Sequence, residues 1–448
     1  MCRMKLKKYM NMKKYQLMLA AVMMSCSVLS CSSSEEVIDL GEANRVVDML
    51  EKTQPIELTQ EQRQFAYDNN RFTLNFLKTV NETDRSGKSF IYSPLSITYV
   101  LGMVNDGAAG DTERELEQTL GFHEGGIQAV NDYCKNLIDN LPKVDEQVTL
   151  DIANALFVNK NIATLKPQFQ QDMLTYYDAK AEALDFMSPA TLSHINDWCK
   201  EKTKGMIPSI LDEVKPDVVT YLLNAIYFKA DWASKFEEKY TKNEMFATKS
   251  GKKELPLMHQ NVIISYLKND TYSAVIIPYG SGLWNMTVLL PEEGKTTDDV
   301  ITEVANSYTL NDPGWCHTGE NTFRGYEVDL KLPRFETESD TDDAGGLIGL
   351  MKKMGIRLAF DQNFAEIPNM CEKGSVYISM MRQKAKVKVN EEGSEAAAVT
   401  IAGANYTTSV SPTFSYPKAV FHANRPFVYV IREASSGVIL FVGKYTGE

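Results

Sequence analysis

A chain of 448 residues, 44% hydrophobic and 24% charged, has the composition of a globular protein with a substantial core. Its net charge of -12 conceals an asymmetry, because Arg3, Lys5, Lys7, Lys8, Lys13 and Lys14 lie in an opening segment without acids. Setting these six aside leaves 41 of the 47 basic residues against 59 acidic ones. That balance excludes nucleic acid as the expected partner, since phosphate contacts need clustered Lys and Arg.

The basic start is followed by a mostly apolar run from Leu17 to Leu29, the pattern of an export signal over residues 1–30. Val28, Leu29 and Ser30 before Cys31 resemble a bacterial lipoprotein box, in which the cysteine thiol receives the lipid. Cys31 is therefore the expected first mature residue, with Cys26 the weaker candidate and an ordinary cleaved signal the competing reading. The apolar run falls short of the ~20 residues of a spanning helix. Residues 31–59, with SSSEE directly after Cys31, read as a flexible polar tether. The expectation is an exported protein held on the bacterial envelope by a lipid, at the outer membrane with its orientation left open, or else secreted.

From about Leu58 the pattern becomes dense. FAYDNNRFTLNFLKTV places Phe65, Phe72, Phe76 and Leu77 on one helical stripe. DTERELEQTLGF predicts a short helix, with Thr112 and Glu115 in capping-box spacing and Gly121 at its end. Strand-like runs follow: VTLDIANALFVN, YLLNAIYFKA, AVIIPYG, NMTVLLP, YEVDLKLPRF, SVYISMMRQKAKVKVN, FVYVIRE and GVILFVGKY. LSHINDWCKEKTKG and GGLIGLMKKMG read as helices between them. No repeat and no Pro- or Gly-rich linker divides residues 60–448, which points to a single α+β domain with helices early and strands late.

Near the C-terminus, EEGSEAAAVTIAGANYTTS (391–409) has a parity. Ser394, Ala396, Ala398, Thr400, Ala402 and Ala404 are all small, whereas Glu395, Ala397, Val399, Ile401, Gly403 and Asn405 are mixed. Side chains alternate faces with period two, so such a segment can slide a slim face into a packed sheet.

Enzyme signatures fail on inspection. SGKSF (86–90) has Glu82 where a phosphate-binding loop needs glycine. Ser281 has Tyr279 where a nucleophile elbow needs glycine. HEGGI at His123 lacks the second histidine of a zinc protease. His123, His194, His259, His317 and His422 show no metal-ligand spacing. Cys134, Cys199, Cys316 and Cys371 form no CxxC pair or disulfide framework and are expected to be idle thiols. No metal or cofactor is expected.

Six dispersed segments carry a resemblance: YSPLSITYVLGMVNDGAAGDT, INDWCKEKTKGMI, LLNAIYFKADWASKF, LPRFETES, EEGSEAAAVT and HANRPFVYVI. In their order and approximate spacing the chain resembles a serpin from about Gln60 to the end. The resemblance implies mixed helices with three β-sheets and an exposed reactive-centre loop, here at about 391–415. It also implies a monomeric suicide-substrate inhibitor that forms a covalent complex with a serine protease, with cysteine proteases as a second class. The cleaved loop then enters the central sheet and distorts the acyl-enzyme. The alternative is a non-inhibitory binding or carrier serpin, which charged residues or proline on the hinge's inward parity would favour.

Carried over residue by residue, Glu391, Glu392, Gly393, Ser394, Glu395, Ala396, Ala397 and Ala398 match the family hinge, with Gly393 supplying freedom to fold back. Counting seventeen residues from Glu391 reaches Thr407, so the reactive bond is Thr407–Thr408. The segment before HANRPF is longer than common in the family, which leaves Tyr406–Thr407, or a bond within TSVSPTFSY, as alternatives. Tyr406 implies chymotrypsin-like targets, and Thr407 or Ala404 elastase- or subtilisin-like ones. No Lys or Arg stands between Lys388 and Lys418, which argues against trypsin-like targets. Ser93, Ser96 and Asn224 match polar positions of the shutter beneath the opening sheet, and Trp232 the tryptophan near the first insertion point. Gln383 departs from the family by replacing the shutter histidine; as donor and acceptor it can preserve the network, with a changed opening barrier and pH response.

Overall fold

The computed structural model describes residues 53–84, 86–122, 125–308, 323–342, 346–373, 376–394 and 416–448. Cys31 and the export signal lie outside these residues, as do Glu395, Ala396, Ala397, Ala398, Tyr406, Thr407 and Thr408.

The described chain opens with α1 (Gln60–Thr83), β1 (Phe90–Tyr92), α2 (Pro94–Gly107), α3 (Gly110–Leu120) and α4 (Gly126–Asn140). Next come β2 (Val148–Asn159), β3 (Thr164–Leu165), α5 (Pro167–Tyr177), β4 (Lys180–Leu184) and α6 (Ala190–Lys202). A block of strands follows: β5 (Thr220–Asp231), β6 (Lys242–Thr248), β7 (Gly251–Lys268), β8 (Tyr272–Tyr279) and β9 (Trp284–Pro291), then α7 (Thr297–Ser307). After β10 (Arg324–Pro333), β11 (Phe335–Asp340), α8 (Leu347–Met354) and β12 (Cys371–Lys373) come β13 (Met380–Val389) and the two-residue β14 (Gly393–Ser394). β15 (Lys418–His422), β16 (Phe427–Glu433) and β17 (Ile439–Tyr445) close the chain.

The strands form three sheets among the described residues: nine strands, six strands and the β12–β3 pair. The six-stranded sheet has the order β11-β13-β14-β5-β2-β4, and β13 also pairs directly with β5. A continuous apolar core runs from Ile56 to Tyr445. A smaller one, containing Ile195, Trp198 and Cys199, lies where α6 covers β2 and β5.

Local sequence explains much of this order. The α1 stripe of Phe65, Phe72, Phe76 and Leu77 is buried as expected. Thr59 and Gln62 cap that helix reciprocally, each side chain accepting from the other's backbone N–H. The capping box predicted at Thr112 and Glu115 is not formed. α3 starts two residues earlier, at Gly110, where the Glu366 carboxylate accepts from Asp111 N at 3.0 Å. Thr112 Oγ1 accepts from Glu366 N, and Glu115 accepts from Arg357 N and Leu358 N. A carboxylate distant in sequence has therefore taken over the cap. Gly121 does end the helix, in the left-handed conformation at φ 87°.

YEVDLKLPRF is not one strand. It divides after Pro333 into β10 and β11, which belong to different sheets. The three described cysteines are buried and free, and burial pushes the thiols of Cys134, Cys199 and Cys371 up to about 12, 12 and 11. They are uncharged at neutral pH and so poor nucleophiles.

Candidate functional site

The site is the seam between β13 and β5. Met380 to Lys384 pair in parallel with Tyr221 to Ala225, and above those five rows the direct pairing stops. Pairing resumes only at the top, where Ser394 is inserted antiparallel between Val389 of β13 and Ala230 of β5. On the seam side, residues 385–388 and 226–229 have no strand partner among the described residues. A parallel pair normally continues its ladder, so an interrupted seam in a buried sheet is a place for another strand.

Of the predicted hinge residues, Gly393 and Ser394 are turned into that seam. Asn390 makes the turn: its N–H donates to the Gly393 carbonyl at 2.9 Å, and its side-chain oxygen accepts from Glu392 N and Gly393 N. Gly393 is required by proximity as well as freedom, because a Cβ there would lie 2.0 Å from the Ala230 carbonyl oxygen. Ser394 is fully buried, its hydroxyl 2.6 Å from that of Tyr279. Burial pushes the Tyr279 hydroxyl's pKa up, against the opposing Ser394 contact, so this hydroxyl stays protonated.

Trp232 stacks on Tyr279 with ring centroids 4.3 Å apart, and its indole N–H donates to the Asn390 carbonyl at 2.8 Å. Its backbone N–H donates to the Glu392 carbonyl at 2.7 Å. The two glutamates are anchored separately. Glu391 is 3% exposed and accepts from Arg334 at 2.6 and 3.0 Å and from Thr241 at 2.6 Å. Burial works against its charge, but the Arg334 and Thr241 hydrogen bonds prevail and hold its pKa below the ordinary carboxylate value. The anchor is thus present at neutral pH and is lost as acid protonates Glu391. Glu392 pairs with Lys235, which also binds Asp231 at 2.8 Å.

Below the closed half of the seam lie the predicted shutter residues, brought together in one network. Gln383 Oε1 accepts from Ser93 N at 3.0 Å, while its Nε2 donates to the Ser93 carbonyl at 2.9 Å and to Asn224 Oδ1 at 3.1 Å. Asn224 donates in turn to Asn154 Oδ1 at 2.9 Å. Gln383, Asn224 and Asn154 form an amide ladder across β13, β5 and β2. Ser93 and Ser96 share a 3.0 Å hydrogen bond, and Ser93 Oγ donates to the Leu440 carbonyl at 2.7 Å. Every member is buried and none ionises near neutrality. Glutamine therefore joins three elements without a titrating group.

Sequence reasoning missed Arg334, Thr241, Tyr279 and Asn154. Asn154 had a signal, a polar residue amid the apolar run of β2. Arg334 stands inside the quoted LPRF motif, but its partner is 57 residues away, and only the fold brings Glu391 to it.

The six-stranded sheet thus carries an interrupted seam with Gly393 and Ser394 seated at its top. A family model described as "Serpin (serine protease inhibitor)" matches residues 67–447, and the chain belongs to that family. Serpin B8 of Homo sapiens is 32% identical over 385 residues, covering 84% of this chain and 98% of the relative. The leukocyte elastase inhibitor of Sus scrofa is 31% identical over 389 residues, covering 85% and 98%. Among solved structures, human thyroxine-binding globulin superposes with a TM-score of 0.71 at 26% identity, covering 86% of this chain and 98% of that one.

Removing the glutamine amide strands polar groups on three elements, so Gln383→Leu should destabilise the intact protein by about 2–4 kcal/mol in thermal unfolding. Gln383→His should hold near pH 8 and weaken below about pH 6.5, because an imidazolium has no acceptor for Ser93 N–H. A melting temperature of the histidine variant that does not change with pH would contradict this reading of the network.

Proposed function

We propose that this chain inhibits serine proteases as a suicide substrate, with chymotrypsin-, elastase- or subtilisin-like enzymes as targets and cysteine proteases as a second class. The observation that carries the reading is the placement of Gly393 and Ser394 at the top of the interrupted seam. Continuing their register downward sets Ala396 beside Val387 and Phe228, Ala398 beside Ala385 and Ile226, and Thr400 beside Gln383 and Asn224. These positions face the core side of the sheet, where small residues are the ones that fit. On the opposite parity Glu395 falls between Lys388 and Lys229, a favourable cross-strand match.

The chemistry belongs to the protease. Its serine attacks the carbonyl of the reactive bond, Thr407–Thr408 or Tyr406–Thr407, forms an ester and releases the following residue as a new amino terminus. The freed segment then adds to the sheet as a strand. From Ser394 to Thr407 it carries the esterified enzyme about 45 Å, at about 3.3 Å per residue. Trapping succeeds when this movement outruns attack by water, which requires an intact protein held short of its most stable state by a kinetic barrier. The carrier alternative draws on the likeness to thyroxine-binding globulin. The hinge argues against it, since Ser394, Ala396, Ala398, Thr400 and Ala402 include no charge or proline.

Export and lipid attachment at Cys31 complete the proposal and would place a monomeric inhibitor at a bacterial envelope. Labelled palmitate should enter the expressed full-length protein and be absent from Cys31→Ala; equal labelling of the two would contradict it.

Incubation with chymotrypsin and pancreatic elastase should yield a complex that survives boiling in detergent, and the released C-terminal peptide should identify the reactive bond by mass. Ala396→Arg, which puts a long cation on the core side, should convert the protein to a substrate with at least about tenfold less complex per molecule cleaved. Clean cleavage of the wild-type chain across such a panel, without complex, would favour the carrier reading.

A further inference from the structure

Away from the seam, the C-terminal half of α1 carries a second stripe beside its buried one. Phe72, Asn75, Thr79 and Glu82 follow at helical spacing, with Lys78 next to them, and face α3 and the end of α8 across a cleft of about 550 Å³. That volume lies within the range of small-ligand sites. Gln118 and Thr119 of α3 line the opposite wall, and the buried Phe72 forms part of the floor. Gly355 keeps one end clear: it sits at φ 122°, and a Cβ there would stand 3.2 Å from Thr119 Oγ1.

The charged groups of this cleft are not spent on one another. Lys353 donates to Thr83 Oγ1 at 2.8 Å, and Glu115 accepts from Arg357 N and Leu358 N. Lys78 and Glu82 stand four residues apart on α1 in the less favourable order, lysine first, and form no ion pair. The side chains of Asn75 and Gln118 likewise have no partner among the described residues. The end of α8 adds a negative pole. Gly355 N and Ile356 N both donate to the Met351 carbonyl, while Arg357 N and Leu358 N, which would continue the ladder to Lys353 and Met354, go to Glu115. The carbonyls of Lys352, Lys353 and Met354 are thus left without helical donors and carry the negative end of the helix dipole.

We infer that the cleft between α1, α3 and the end of α8 binds a small zwitterion, an amino acid or dipeptide. Lys78 receives its carboxylate, with the Asn75 and Gln118 amides as further donors. Glu82 and the carbonyls ending α8 receive its ammonium group. Phe72 and Met354 offer apolar surface to its side chain. Charge selects this class, because the cleft holds an unpaired cation and an unpaired carboxylate together. A simple anion satisfies only Lys78 and a simple cation only Glu82, whereas a zwitterion satisfies both and leaves no net charge behind. The site is separate from the seam, so it stands or falls independently of the inhibitory reading.

The test titrates the full chain by isothermal calorimetry near neutral pH with alanyl-leucine and its two blocked forms, N-acetyl-alanyl-leucine and alanyl-leucine amide. The zwitterion should bind with a Kd of about 0.1–1 mM, and each blocked form at least about tenfold more weakly. Lys78→Met and Glu82→Gln should each weaken the zwitterion by about tenfold or more. Lys352→Met, which changes an exposed residue of α8 outside the cleft, should match wild type. The blocked peptides are compared on the wild-type chain, so the result does not depend on how the variants fold. Equal affinity for all three peptides, no saturable binding of alanyl-leucine up to about 20 mM, or wild-type affinity in both cleft variants would overturn the site.

Discussion

Backbone pairing along one seam governs this molecule. β13 and β5 run parallel and share five paired rows, then part, and the next residue seated between them is Ser394. Strand edges in a sheet interior favour being paired, and the fold withholds a partner over the upper rows of the described chain. On the proposed mechanism, the segment that would satisfy them is attached in the same chain and restrained by its own connection. The driving force is the gain of a full strand's hydrogen bonds and buried small side chains. The barrier is whatever keeps β13 and β5 together below.

That barrier has distinct physical layers. The buried amide ladder of Gln383, Asn224 and Asn154 joins three strands, with Ser93 beneath it. Its cost of rupture comes from stranding polar groups in a place without water. Around the hinge, Arg334 and Lys235 each hold a separate glutamate. Neutral interactions buried in the amide ladder are insensitive to salt, whereas the part-exposed Lys235–Glu392 pair responds to it. The two layers can therefore be separated by solution conditions.

The sequence carried the parity of the reactive segment, because slim residues at alternating positions need no tertiary information to be seen. The long strands β2, β5, β8 and β9 were equally visible from their apolar runs. β7 was not: over Gly251–Lys268 its polar and charged residues break the apolar pattern, and much of it lies at the surface. The cap of α3 was misread because Glu366, 255 residues from Asp111, outcompetes the local Thr112 and Glu115 pair. In the site, Ser93, Ser96, Asn224, Trp232 and Gln383 came from family resemblance, and the structure brings the four shutter residues into one network. Arg334 and Tyr279 required the fold, since their partners lie on other elements and their residue types are unremarkable alone.

The central claim is that the intact chain has not reached its lowest free energy. Thermal unfolding of the intact protein, compared with a sample nicked once in the reactive segment and retaining both fragments, tests it most directly. The account predicts that the nicked protein melts well above the intact one, since the added strand completes the sheet. Equal or lower melting after the nick would mean that no free energy is stored in the open seam.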